Sequence, residues 1–453
     1  MTATIQSTWE TWQLRPGVHA ASKDGALTLL LWRRSEPLGP VGPGPRAALA
    51  ALAGRSCTLD ELRDLGATEE FVQRLRAGGW LMTTVWHEGR RLYTVQPLQP
   101  QPPEPPPADS LVLSRFAVLH RVADRIVAES PLAWAQLEAH DPAVLSVLAA
   151  PEHAPGSLPA EAAARLLRDL HWTGLAVPEP SAEDTDLRLR QWSPHELWFH
   201  ERTRFGHRTY FDAGYGGTYW ARGRFDPLPA HREPYPGPAL ELPRPDLDAL
   251  RHNDLTLTAA LEDRRSVREH DDDRPITARQ LGELLYRCAR VRRVATVDDV
   301  EMVQRPYPSG GSLYELELYP VVRKASGIAP GMYHYDGHEH RLRLVRGPGP
   351  EVGGLLRAAM RSAGASEPPQ VLIVVAARFG RLMWKYEEMP YALILKHVGV
   401  LYQTMYLVAT AMGLAPCGLG GGDITTFAAA TGMDPLIEGS VGEFLLGSRP
   451  GER

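Results

Sequence analysis

The chain has 453 residues, too many for one core of ordinary size, so two or three domains are expected. Hydrophobic residues at 43% and charged residues at 23% are the proportions of a soluble globular protein. A net charge of −5 gives no electrostatic reason to expect nucleic acid or an anionic membrane as a partner, and the longest strongly apolar run, Val371–Ala377, has the length of a strand rather than of a membrane span.

The N-terminus, with Trp9, Glu10 and Trp12, shows neither a basic n-region nor an apolar h-region, so no secretory signal is expected. Leu14-Arg15-Pro16-Gly17-Val18 and the apolar run Leu27–Trp32, set off by Asp24-Gly25, predict a hairpin. Helices are expected over 46–52, over 58–65 with a capping box from Thr58 to Glu61, and over 68–76, stopped by Gly78-Gly79. Trp80–Val85 and Arg91–Val95 then read as a second hairpin, which gives residues 1–95 the order of a winged-helix-like module. Residues 96–109 are proline-rich and read as a semi-rigid linker.

Residues 110–190 follow a similar plan, with helices expected over 132–137, 143–148 and 159–170 before Trp172–Val177. Helix, tryptophan, then strand closes both segments, which suggests a duplication and a second winged-helix-like domain. Across 191–247 comes a firm helix start, with Ser193 as N-cap, Pro194 at N1 and Glu196 at N3. A second proline cluster over 226–245 is expected to run as irregular chain. Residues 248–453 alternate helices (281–288, 352–363, 390–412) with strands (316–322, 332–335, 342–345, 371–377, 442–446), which predicts an α+β sandwich around a central sheet. Within the long helix, Leu393, His397, Val400, Leu401, Thr404, Leu407 and Val408 form the expected buried stripe.

Three stretches carry chemistry. Arg264, Arg265, Ser266 and Arg268 gather three fixed cations and a hydroxyl within five residues, a set suited to a phosphate monoester because guanidinium forks bind its oxygens bidentately. The turns Pro308-Ser309-Gly310-Gly311 and Gly418–Gly422 let backbone N–H groups approach a flat ring closely. Lys385-Tyr386, behind Trp384 and just ahead of the long helix, sets two tunable proton-transfer groups side by side. The plain structural alternative for that pair is a buried Lys–Glu ion pair beside a core tyrosine. His334, His338 and His340 flank the turn Asp336-Gly337, and no Cys or carboxylate set completes a metal site, so no metal is expected. Cys57, Cys288 and Cys417 are widely spaced and odd in number, which fits a reducing cytoplasm; Cys417 reads as a small packing residue.

The order of these stretches resembles the nitroreductase superfamily of FMN proteins. Finer matches resemble its SagB-type branch, the FMN-dependent dehydrogenases that oxidise thiazolines and oxazolines in ribosomal peptides to thiazoles and oxazoles. The matching pieces are Phe199–Arg204, Leu242–Pro245, Arg264–Arg268, Ser309–Tyr314 with Glu317 and Tyr319, Gly331–Asp336 and Trp384–Glu387. They run from about Trp192 to the C-terminus, and the Lys-Tyr pair is the discriminating element. The resemblance implies that Arg264, Arg265, Ser266 and Arg268, with Arg449 as a weaker candidate, grip the FMN phosphate and ribityl chain. It implies that Pro308, Ser309 and Gly310 line the isoalloxazine from across a homodimer interface and that Gly420 and Gly421 lie near its N5 edge. It also implies that Lys385 and Tyr386 are catalytic, one of them removing the azoline Cα proton while hydride leaves Cβ for flavin N5, with O2 reoxidising the flavin. Which of the two is the base stays open. The N-terminal module more loosely resembles small leader-peptide-binding modules of the same pathways, implying an azoline-bearing precursor peptide and a cyclodehydratase or leader-binding protein as partners. The alternatives are an NAD(P)H-dependent nitro or flavin reductase and a non-catalytic peptide-binding scaffold.

Overall fold

A computed structural model of the chain describes residues 8–31, 34–151, 158–206 and 216–451. Trp32, at the end of the first expected strand, lies outside the described residues. The chain divides into two compact units, 1–215 and 216–453.

In the first unit, β1 (Thr8–Leu14) precedes the meander β2 (His19–Lys23), β3 (Ala26–Leu31) and β4 (Arg34–Pro40). Asp24 and Gly25 turn β2 into β3 with φ of 51° and 81°, the positive pair a two-residue hairpin demands. Helices α1 (Pro43–Gly54), α2 (Leu59–Asp64) and α3 (Glu69–Ala77) follow, α2 with the complete Thr58/Glu61 capping box. Strands β5 (Leu81–His87) and β6 (Arg90–Pro97) form the second hairpin. Leu49, Leu52, Leu62, Leu75 and Trp80 are buried with Trp12 and Leu29 in the first core.

The next segment departs from expectation. After β7 (Leu111–Leu113), a hairpin that periodicity did not suggest, β8 (Val118–Val122) and β9 (Arg125–Glu129), turns at Ala123 with φ 56°. The helix expected over 132–137 is absent; residues Ala135–Ala139 are strand β10, paired on one side with β6 and on the other with β9. Helix-forming composition loses here to the burial of Ala135 and Leu137 in the middle of a sheet. The result is one six-stranded sheet, β1-β5-β6-β10-β9-β8, drawing strands from both expected modules. Helices α4 (Pro142–Ala149) and α5 (Ala160–Thr173) bury Val144, Leu148, Leu166 and Leu170 against it, and β11 (Ala176–Pro178), α6 (Ala182–Thr185), α7 (Leu187–Arg190) and α8 (Pro194–Arg202) complete the unit. The Ser193/Glu196 capping box opens α8 as expected. Tyr93 Oη donates to Asp169 at 2.7 Å, and Arg165 bridges Asp169 and Glu10.

The second unit contains β12 (Gly216–Gly217), β13 (Ala239–Glu241), α9 (Leu247–Asn253), α10 (Leu257–Asp263), α11 (Ala278–Ala289), β14 (Arg293–Val297), β15 (Val300–Gln304), β16 (Leu316–Val322), β17 (Gly331–Asp336), β18 (Arg341–Arg346), α12 (Pro350–Ala363), β19 (Val371–Arg378), α13 (Phe379–Met383), β20 (Tyr386–Glu387), α14 (Pro390–Ala411), β21 (Leu414–Gly418), α15 (Ile424–Thr431) and β22 (Glu438–Ser448). Seven strands form an antiparallel sheet in the order β13-β18-β17-β16-β19-β22-β21. The proline-rich stretch, expected to be irregular, supplies its edge strand β13.

Alternation along β16 and β19 sorts side chains to two cores. Leu316, Leu318, Val371, Ile373 and Val375 face the core shared with α11 and α14, while Tyr319, Val321, Leu372 and Val374 face the core shared with α12 and α15. This mixed α+β sandwich is nitroreductase-like. Helix α14 buries Ile394, His397, Val398, Leu401, Met405 and Ala409. The expected stripe therefore holds at His397 and Leu401, while Leu393, Val400, Thr404, Leu407 and Val408 are half-buried along its flank. Among the described residues α14 alone has the length and composition to cross a membrane, but its buried face belongs to the core beside the sheet.

Candidate functional site

Lys385 and Tyr386 occupy the link from α13 to α14. Tyr386 and Glu387 pair with Gly217 and Gly216 as a two-residue ribbon, and Tyr219 N–H donates to the Lys385 carbonyl at 2.9 Å. Glu387 accepts from Thr218 Oγ1 at 2.6 Å, so the Lys–Glu pairing weighed from sequence is not how this carboxylate is engaged. Lys385 Nζ instead lies 5.1 Å from the ring centroids of both Tyr219 and Tyr386. Trp384, 8% exposed, packs edge-on to Tyr219 and donates from Nε1 to the Phe225 carbonyl at 2.7 Å. Burial works against the Lys385 ammonium, but hydrogen bonding to Tyr219 and the oxygens of Tyr386 and Tyr219 outweigh it, and its pKa is raised above the ordinary value.

The pair closes on the 308–314 turn. Gly311 has φ +63°, a conformation that favours glycine, and a Cβ there would stand 2.7 Å from Tyr386 Oη and 2.9 Å from Lys385 Nζ, so a side chain would have to displace both groups. Ser309 Oγ accepts from Tyr314 N–H at 3.2 Å, and Tyr314 Oη donates to the Tyr307 carbonyl at 2.7 Å. Gly310 N–H donates to His397 Nε2 at 2.7 Å. Arg381, 2% exposed, clamps three segments by donating to the carbonyls of Leu313, Leu228 and Glu301 at 2.6–3.1 Å. With no carboxylate on those bonds, burial pulls its pKa down to about 10.

A second cluster lies farther along α14. Ser266 Oγ is 2.7 Å from Tyr406 Oη, Gly418 N–H donates to that same hydroxyl at 2.7 Å, and Val267 N–H donates to the Pro416 carbonyl at 2.8 Å. Arg264 lies over the Tyr406 ring at 5.2 Å. Arg265 and Arg268 are exposed, and among the described residues no carboxylate pairs with Arg264, Arg265 or Arg268. Arg449 Nε donates to the Leu414 carbonyl at 2.9 Å while its Nη2 is buried without a hydrogen-bond partner. Unpaired guanidiniums with a buried orphan N–H are what an absent anion would satisfy. Gly420 and Gly421 are exposed and have nothing within 4 Å of where a Cβ would stand, so the loop leaves room for a planar group. These residues fit a phosphorylated flavin.

The structure thus brings Lys385 and Tyr386 to Gly311, next to the Gly310 held by His397, and gathers Arg264, Ser266 and Gly418 at Tyr406, with His397 and Tyr406 both on α14. Nine residues of helix separate those contacts, about 13 Å at 1.5 Å per residue. Pro308 is exposed and Ser309 half-buried beside the first cluster. Sequence reasoning did not single out Tyr219, Arg381 or Tyr406, which the fold gathers here, and took His397 for packing; each enters through a contact distant in sequence, and only His397, a polar residue on an apolar helix face, left a signal. The histidines near Asp336 go separate ways: His334 meets Glu317 at 3.1 Å, His338 stacks on His231, and His340 meets Tyr335 at 3.0 Å. Among the described residues no group of three or more His, Cys, Asp or Glu is placed to hold a metal. Cys417 is buried in β21.

Comparison with known proteins agrees with this architecture. Residues 261–447 match the nitroreductase family and residues 111–209 match the cyanobactin oxidase ThcOx family, a likeness that begins well before Trp192. The nitroreductase-named protein MJ1384 of Methanocaldococcus jannaschii is 31% identical over 185 residues, 41% of this chain and 85% of that one. The trifolitoxin-processing protein TfxB of Rhizobium leguminosarum bv. trifolii is 26% identical over 36% of this chain and 44% of its own length. The microcin B17-processing protein McbC of Escherichia coli is 32% identical over 26% of this chain and 44% of its own length. The chain therefore spans less than half the length of the two processing proteins it matches. A solved nitroreductase from Anabaena variabilis aligns with a TM-score of 0.39 at 24% identity, over 55% of this chain and 45% of that one. The chain is an oxidoreductase that belongs to the nitroreductase family and resembles its SagB-type, peptide-processing branch.

Proposed function

We propose that the protein is an FMN-dependent azoline oxidase that converts thiazolines or oxazolines in a ribosomal peptide to the aromatic azoles. The observation that carries this reading is the convergence of Lys385 Nζ and Tyr386 Oη on Gly311. Arg264, Arg265, Ser266 and Arg268, with Arg449, are suited to hold the flavin phosphate, Pro308, Ser309 and Gly310 to line the ring from a second subunit, and Gly420 and Gly421 to admit its reactive edge. Bound FMN would accept hydride from the azoline Cβ at N5 and return the electrons to O2 as hydrogen peroxide. The protein's own share is the Cα proton. A Lys385 ammonium donates and stabilises negative charge, so we assign proton acceptance to the Tyr386 hydroxyl and electrostatic support of the reacting atoms to Lys385. An NAD(P)H-dependent reductase would leave this pair without a role.

The N-terminal unit is proposed to engage the leader peptide or a cyclodehydratase, supported by β2, exposed at every position and lying at the edge of its sheet. A second copy of the chain is proposed as partner because Leu257 and Leu261 on α10 and Leu395 on α14 are large, apolar and exposed. Free buried cysteines support a cytoplasmic setting. The test is the absorbance spectrum of the purified protein, then incubation with a thiazoline peptide and mass spectrometry. Bound flavin and loss of two hydrogens per ring are expected; a colourless protein that FMN does not reconstitute would overturn the proposal.

A further inference from the structure

Beside the Lys385–Tyr386 pair lies a buried polar chain that the chemistry above leaves unused. Gly310 N–H donates to His397 Nε2 at 2.7 Å, and His397 Nδ1 meets Glu315 Oε1 at 2.7 Å. An amide N–H can only donate, so Nε2 carries the lone pair, and the ring proton sits on Nδ1 and is donated to the carboxylate. His397 is 5% exposed and Glu315 0%, and the second carboxylate oxygen, Glu315 Oε2, is buried with no hydrogen-bond partner among the described residues. A buried carboxylate left half-satisfied is costly, and a core position needing only volume would be filled by an apolar residue.

The chain ends where the chemistry begins. Gly310 approaches α14 so closely that a Cβ would stand 2.7 Å from Leu393 Cδ2 and 3.3 Å from His397 Nε2. The next residue, Gly311, holds φ +63° against Lys385 Nζ and Tyr386 Oη. A shift of the Gly310 amide therefore moves the surface on which both functional groups rest.

We propose that His397 and Glu315 are positioning residues for the Lys385–Tyr386 pair: the carboxylate fixes the imidazole tautomer, the imidazole holds the Gly310 amide, and the held turn sets the spacing of ammonium and phenol. This rests on the reading of Lys385 and Tyr386 as the proton-transfer pair. Neither residue touches the reacting atoms.

The test separates positioning from packing by where an acceptor remains. His397→Asn keeps an amide near the Nδ1 position and leaves nothing at Nε2; His397→Gln returns an acceptor near Nε2. On the full-length protein as purified, hydrogen exchange reads the Gly310 amide, and acetic anhydride labelling across pH, followed by peptide mass spectrometry, reads the Lys385 titration. In H397N the amide should exchange about tenfold faster, as for one lost hydrogen bond. The Lys385 midpoint should fall back toward 10.5, the ordinary value. Azoline turnover in H397N should drop about 10²-fold with little change in KM, and H397Q should restore most of all three. Glu315→Gln should fall between the two, and it carries the test if H397N does not fold. Wild-type exchange and Lys385 labelling in H397N, or in E315Q where that variant stands in, would overturn the proposal even if turnover fell. A wild type without azoline turnover would overturn the functional reading instead, while exchange and labelling would still decide the positioning.

Discussion

Around Gly311 the ammonium and phenol are packed among partners supplied by the fold, with tyrosine rings, backbone carbonyls and a buried imidazole within reach. Among the described residues the guanidiniums at Arg264–Arg268 face no carboxylate, and a buried Arg449 N–H has no acceptor. On the proposed reading, one cluster is organised before anything binds and the other is completed by the cofactor. That contrast separates rate from affinity: damage to the first should reach the chemical step at unchanged cofactor binding, and damage to the second the reverse.

The largest expected effect tests the first half of this contrast. Lys385→Ala and Tyr386→Phe should each lower azoline oxidation by about 10²- to 10⁴-fold, the range for a lost proton-transfer group, while the flavin absorbance of the purified variants stays at the wild-type level. Loss of flavin along with activity would merge the two clusters into one. Next, Arg268→Ala should weaken FMN binding by about 10- to 100-fold, as for a charge-assisted hydrogen bond of about 1.5–3 kcal/mol, read by quenching of flavin fluorescence, with kcat at saturating FMN unchanged. Gly311→Ala should cost about 1–2 kcal/mol for a side chain in the left-handed region, measured by urea denaturation, and should lower kcat as well because the methyl group displaces Tyr386 Oη and Lys385 Nζ.

The last effect, absent at neutral pH, concerns His270, two residues past Arg268. Burial, reinforced by the Arg323 charge and opposed by a hydrogen bond to the Ala415 backbone and by the Asp272 and Glu269 carboxylates, holds its pKa down at about 4, from 6.5. The unfolded chain therefore takes up this proton first as pH falls. Stability is complete above pH 6.5 and declines between 6.5 and about 4, at up to about 1.4 kcal/mol per pH unit. His270→Asn should flatten that slope in denaturation midpoints taken at successive pH values.

The sequence made the local order legible wherever one segment decides its own structure. Strand β16 coincides with the expected 316–322, the Thr58/Glu61 and Ser193/Glu196 boxes open their helices, and Asp24-Gly25 makes its turn. What escaped depended on neighbours distant in the chain. Residues 132–137 read as helix because Leu132, Ala133, Ala135 and Leu137 suit one; the open edges of β6 and β9 claim Ala135–Ala139 as a strand instead. The β8–β9 hairpin turns at Ala123-Asp124, a pair without the usual glycine signal. In the candidate site, Lys385, Tyr386 and the arginine cluster were singled out by residue type. Arg381 did not, because its bonds run to carbonyls of Leu228, Glu301 and Leu313, none marked by sequence.

Gly311 ties two stretches far apart in the chain into one heritable unit. A methyl group at 311 would displace the Lys385 and Tyr386 groups, so a change in one stretch is felt in the other. A descendant that acquired a side chain at 311 would have to surrender the spacing of the pair, and one that lost the pair would free 311 for any residue able to tolerate its backbone. A lineage that abandoned this chemistry should therefore carry the record at both places.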